Sequence, residues 1–97
     1  LPTAFTPDDN LENDEWGAYF PPNLARNIQN FQLQVFGRWG DLVFTTTQVN
    51  QTWNGQINNN GTECAEGVYF YRMRYRLPGV PNEFEKVGSI TLIRMGE

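Results

Sequence analysis

Histidine is absent from this chain of 97 residues, and cysteine, lysine and serine occur once each, at Cys64, Lys86 and Ser89. Without an imidazole there is no Ser-His-Asp or Cys-His pair, no His-ligated zinc and little general-base chemistry near neutral pH. A lone cysteine closes no internal disulfide. With no histidine to activate it, Cys64 reads as a free thiol in a loop or at a strand entry. No apolar run approaches the roughly 20 residues of a membrane span, so a soluble chain is expected. Eleven acidic residues against seven basic ones leave a net charge of −4, which disfavours a nucleic-acid backbone as partner. The start at Leu1-Pro2 shows no basic or apolar leader, so the expectation is one domain of a longer protein, with any signal peptide outside these residues.

What is present is aromatic and asparagine-rich. With 39% hydrophobic and 14% aromatic residues, the chain has the apolar surface for a single core over residues 1–97 and no room for a second domain. Asparagine occurs eleven times, including Asn58-Asn59-Asn60 before Gly61. Asparagine favours turns, tolerates left-handed backbone and lowers helix propensity, so polar loops on a β scaffold are expected, with almost no helix.

The clearest local signal is Val35-Phe36-Gly37-Arg38-Trp39-Gly40-Asp41-Leu42-Val43-Phe44. Phe31, Leu33 and Val35 alternate with Gln32, Gln34 and Phe36, the period-2 pattern of a strand with one buried face. Gly37 and Gly40 allow the positive φ values of a tight reversal, which makes this a β-hairpin with Arg38 and Trp39 at the end of the sheet. A second long strand starts at Gly67: Tyr69, Tyr71, Met73, Tyr75 and Leu77 share one face, and Val68, Phe70, Arg72, Arg74 and Arg76 the other. The arginines either recognise carboxylates of a partner or pair across strands with Glu83 and Glu85.

The remaining segments are shorter. Residues 1–6 read as an edge strand limited by Pro2 and Pro7, and residues 15–20 as a second short strand ended by Pro21-Pro22. Residues 23–30 read as a crossing loop that has room for one helical turn. Asn54-Gly55 is a strong turn signal, and Trp53 beside it a core anchor. The last strand runs over residues 84–94, with broken alternation that predicts a bulge near Gly88. Together these elements predict an all-β fold, an immunoglobulin-like antiparallel β-sandwich of about seven strands, without the Cys-Trp-Cys hallmark of an antibody domain.

Six of the seven residues Asp8-Asp9-Asn10-Leu11-Glu12-Asn13-Asp14 carry a side-chain oxygen. Asp8, Asn10, Glu12 and Asp14 have the every-second-residue spacing of a calcium loop, which makes calcium the one candidate cofactor. The other reading is a turn in which Asp and Asn side chains cap nearby backbone amides.

Six blocks in order carry a resemblance: Pro2-Thr-Ala-Phe-Thr-Pro7, Asn13-Asp-Glu-Trp16, Phe36-Gly-Arg-Trp-Gly40 with Val43-Phe44, Thr52-Trp-Asn-Gly55, Gly67-Val-Tyr-Phe-Tyr71 and Gly88-Ser-Ile-Thr-Leu-Ile-Arg94. The set resembles the gliding motility-associated C-terminal domain, the type B sorting domain of the bacterial type IX secretion system. Two departures stand out. Asp8-Asp9-Asn10-Leu11 replaces a glycine-bearing acidic loop, and Gly37 replaces a common asparagine.

The resemblance implies a non-catalytic export address. Cargo would enter the periplasm by its own signal peptide and cross the outer membrane to the cell surface or medium. The implied partners are the secretion machinery and a porin-like outer-membrane protein, with the domain monomeric in isolation. Arg38, Trp39, Gly40 and Arg94 are the candidate recognition residues, an exposed strand edge being a further candidate, and Phe5, Pro7, Trp53, Gly55, Tyr69 and Tyr71 the structural motif. A different class is a carbohydrate-binding or adhesive sandwich, in which Trp16, Trp39, Trp53 or the tyrosines would stack on sugar rings and a calcium at the acidic loop would order the site. Coplanar exposed rings would favour sugar binding, and buried rings the sorting scaffold.

Overall fold

The computed structural model describes residues 4–5 and 15–93. Five strands form one sheet: β1 (Ala4–Phe5), β2 (Gln29–Phe36), β3 (Leu42–Thr46), β4 (Gly67–Arg76) and β5 (Phe84–Leu92), in the order β1-β5-β4-β2-β3. The period-2 runs place themselves as their patterns require. Phe31, Leu33 and Val35 of β2 and Tyr69, Tyr71 and Met73 of β4 are buried on one face, where they meet Val43 and Phe44 of β3 and Ile90 and Leu92 of β5. Each such aliphatic or phenyl side chain contributes about 1.5–3 kcal/mol by leaving water.

β2, β3, β4 and β5 pair antiparallel with their neighbours, whereas β1 runs parallel to β5, Ala4 beside Thr91 and Phe5 beside Leu92. The expected first strand thus keeps its edge position but has only two described ladder residues. The single helical turn falls at α1 (Pro22–Ala25), where Pro22 occupies a first-turn position at which its missing N–H is harmless. No helix among the described residues is long and apolar enough to cross a membrane.

All-β is therefore correct, but the described residues form one five-stranded sheet rather than about seven strands in two hydrogen-bonded sheets. Residues 15–20 are extended without a ladder. Trp16 exchanges two backbone hydrogen bonds with Trp53, at 2.9 and 2.7 Å, as an isolated bridge. At Phe20 a side chain replaces the neighbouring strand: Asn50 accepts the Phe20 N–H at 2.7 Å and donates to the Phe20 carbonyl at 2.9 Å. Asn59 does the same for the turn after Trp53, accepting from the Asn54 N–H and donating to the Thr52 carbonyl. Asparagine amides thus satisfy backbone groups that a second sheet would have paired. The residue suits this duty because its backbone tolerates positive φ. All four described non-glycine residues with positive φ are asparagines, at positions 30, 50, 58 and 59.

Two local expectations also change. The β4–β5 ladder keeps one register from Gly67 opposite Leu92 to Tyr75 opposite Phe84, so there is no bulge at Gly88; the irregularities lie in β2, between Val35 and Phe36 and between Gln29 and Gln32. Gly88 is small for another reason, which is that the Tyr71 ring lies against it. In the hairpin only Gly40 has positive φ, at 86°. At Gly37 the requirement is space, since a Cβ there would sit 2.5 Å from Asp41 Oδ1.

Candidate functional site

The β2–β3 turn is closed by two backbone hydrogen bonds, Gly37 N–H to the Asp41 carbonyl at 2.8 Å and Gly40 N–H to the Gly37 carbonyl at 3.0 Å. This clamp leaves the tip residues, Arg38 and Trp39, in solvent. Trp39 is 88% exposed, whereas Trp16 and Trp53 are fully buried. The turn backbone is fixed while the Trp39 indole stands in water, so burying that ring against another surface would remove a large apolar area from solvent.

Beside the turn lies an open cavity of about 430 Å³. One wall is Arg38, Trp39 and Asp41, and the opposite wall is the segment leading into β4, with Glu63, Glu66 and Gly67. The Arg38 guanidinium reaches across towards that segment, 3.6 Å from where a Gly67 Cβ would stand. One guanidinium among three carboxylates, with Trp39, Ile57 and Val68 at the same opening, makes an amphipathic recess. Such a surface suits binding a polypeptide by an aromatic anchor and charge pairing.

Val43, Cys64 and Tyr69 also line the recess, and Tyr69 joins it to the aromatic core. Trp53 packs against Phe5 and Tyr69, each at 5.3 Å between ring centroids, and donates its indole N–H to the Gln56 carbonyl at 2.7 Å. Gly55, with φ of 85°, turns the chain so that its carbonyl accepts the Cys64 N–H at 2.9 Å, which fixes the far wall. The single cysteine, Cys64, is buried. Tyr71 stands further along β4, with Trp16 at 5.0 Å, and burial pushes its phenol pKa above the ordinary 10.0.

The structure thus gathers Arg38, Trp39, Gly40, Phe5, Trp53, Gly55 and Tyr69 at one end of the sheet. Pro7, Arg94 and the candidate calcium ligands Asp8, Asn10, Glu12 and Asp14 lie outside the described residues. Among the described residues no group of three or more acidic, cysteine or histidine side chains is placed to hold a metal ion. Glu63 and Glu66 were not singled out by the sequence. They sit in a polar loop some 25 residues beyond the hairpin, and only the fold brings them to it. The arginine row of β4 is engaged within the sheet: Arg72 pairs with Glu85, Arg74 donates to Gln32, and Arg76 donates to the Pro81 carbonyl at 2.9 Å.

Residues 1–92 match the family described as CHU_C Type IX secretion signal domain. The chain belongs to this family. No curated protein and no solved structure matches it. For a type IX secretion signal domain the task is targeting.

Proposed function

We propose that this domain is a non-catalytic C-terminal sorting module, which carries its cargo from the periplasm across the outer membrane to the surface or medium. The family match over residues 1–92 carries this reading. The reading places recognition at Arg38, Trp39 and Gly40, with a porin-like outer-membrane protein as partner of the monomeric domain. Exposure of Trp39 supports it. The burial of Trp16 and Trp53 leaves no set of coplanar exposed tryptophans, which disfavours the sugar-binding alternative.

In its finer form the fold is an immunoglobulin-like sandwich with an abbreviated second layer. The order β5-β4-β2-β3 matches the G-F-C-C′ order of the larger sheet in a variable-type sandwich. The Trp16–Trp53 bridge then stands where the second sheet would run.

The test is a fluorescent reporter with a signal peptide at its N-terminus and these 97 residues at its C-terminus, fractionated in a type IX-competent strain and its secretion-deficient mutant. Surface or medium fluorescence in the first and periplasmic retention in the second is the expected result. Retention in both, with the domain folded, would overturn the sorting role. Arg38→Ala and Trp39→Ala variants that fold and export normally would remove the hairpin tip from recognition.

A further inference from the structure

β3 ends the sheet of described strands, and its sequence does little to protect it. Leu42-Val43-Phe44-Thr45-Thr46-Thr47 carries no charge, proline or glycine and is rich in β-branched and aromatic residues, a composition that favours pairing with a further strand. Such an edge is a template for another chain unless something blunts it.

Two features of the fold do so. In the ladder with β2, Phe44 stands opposite Val35 and Leu42 opposite Phe36, so Val43 is an extra residue that breaks the regular spacing at that end. The regular part of the edge is residues 44–46. Its outward N–H belongs to Thr45, and Asn58 Oδ1 accepts it at 3.3 Å.

The loop that supplies Asn58 is tied to itself. Asn54 Oδ1 accepts the Gln56 N–H at 3.0 Å, Gln56 Oε1 the Gly61 N–H at 2.8 Å and Asn60 Oδ1 the Thr62 N–H at 3.1 Å. These amides serve the loop's own backbone. Asn58 instead reaches out of the loop, from a left-handed backbone with φ of 47° and ψ of 32° inside the 3-10 turn over Ile57–Asn59. That conformation favours glycine or asparagine, and only asparagine brings an acceptor to the Thr45 N–H.

We propose that Asn58 is an edge guard against a second copy of this chain. Its side-chain oxygen fills the acceptor position that a second β3, laid antiparallel beside this one, would need at Thr45. A pair centred on Thr45 would exchange both backbone hydrogen bonds of that residue about a two-fold axis, and neither copy has a charge on residues 42–47 to oppose it. The self-tied loop holds the guard in place, so the edge stays closed without a charged or proline residue in the strand. The inference goes beyond the sorting reading, and its test does not use export.

The experiment measures the oligomeric state of the 97-residue chain by sedimentation over a concentration series, for wild type, Asn58→Gly and Asn58→Asp. Glycine keeps the left-handed backbone and removes the acceptor, whereas aspartate keeps an oxygen in its place. Self-association of Asn58→Gly is expected to be about ten-fold or more stronger than that of wild type or Asn58→Asp, the factor that corresponds to one main-chain hydrogen bond. Adding Thr45→Lys to Asn58→Gly, which sets a charge on the freed edge, should restore the monomer. Amide hydrogen exchange, followed at dilutions where every variant is monomeric, should find the Thr45 N–H protected in wild type and Asn58→Asp and exposed in Asn58→Gly. Asn58→Gly that associates no more than wild type overturns the proposal, as does a dimer that Thr45→Lys leaves intact, since it would form at another surface. If circular dichroism shows Asn58→Gly unfolded, the wild-type exchange decides: a Thr45 amide that exchanges as fast as an open edge amide removes the guard.

Discussion

Tyr71 and Gly88 stand directly opposite one another in the β4–β5 ladder, and the tyrosine ring lies over the glycine. A Cβ on Gly88 would meet Tyr71 Cε2 at 2.7 Å and the hydroxyl oxygen at 2.8 Å. The ring has no retreat, because Trp16 packs at 5.0 Å. Alanine would gain roughly 0.5–1 kcal/mol of strand preference over glycine. Overpacking costs about 1–3 kcal/mol and wins. Gly88→Ala should therefore lower the urea midpoint; an unchanged or raised midpoint would show that the ring can move aside.

The same tyrosine gives a pH dependence. Burial raises the Tyr71 pKa above 10.0 in the folded state, so the folded protein holds this proton more tightly than the unfolded chain. Its contribution to stability is complete below the unfolded value of 10.0 and is lost as pH rises from there through the folded pKa. Urea midpoints measured from about pH 8 to pH 11 should fall across the upper part of that range, and fall less steeply in Tyr71→Phe.

Two tryptophans should respond oppositely to the same truncation. Trp53 is fully buried, touches Phe5, Phe44 and Tyr69, and satisfies the Gln56 carbonyl. Trp53→Ala is expected to cost about 3–5 kcal/mol, a large part of the stability of a small domain. Trp39→Ala should shift stability by no more than about 0.5 kcal/mol while removing the acrylamide-quenchable fraction of the emission. Equilibrium unfolding with intrinsic fluorescence separates the two cases.

Asn50 carries the duty of a missing strand at Phe20. Asn50→Ala leaves a half-buried N–H and C=O without partners, at a cost of about 1–3 kcal/mol, and places alanine at φ of 69°. Asn50→Gly removes the backbone strain but not the lost hydrogen bonds, so its urea midpoint should fall between alanine and wild type.

The four long strands were legible because each buries one face, and an alternating sequence can bury one face only when extended. Residues 15–20 carried a similar pattern at Trp16, Ala18 and Phe20, and these side chains do face the core. Their backbone nevertheless makes only the isolated bridge of Trp16 with Trp53, and at Phe20 the Asn50 amide takes the place of a neighbouring strand. No periodicity reports that substitution. The recess was half legible for the same kind of reason: glycines announce the hairpin that carries Arg38 and Trp39, while Glu63 and Glu66 belong to a polar loop with no pattern of its own.

By itself the sequence determined that this protein is a small all-β domain without histidine chemistry, with a glycine-bounded hairpin that lifts Arg38 and Trp39 out of the core. These follow from local rules of backbone sterics and period-2 burial. Tertiary structure alone decided that the described strands form one sheet, that the turn before β4 becomes the far wall of the recess, and that the Asn58 side chain reaches the β3 edge at Thr45. Which edge a strand exposes depends on which segments reach it from elsewhere in the chain, and such non-local pairing leaves no mark within the strand's own residues.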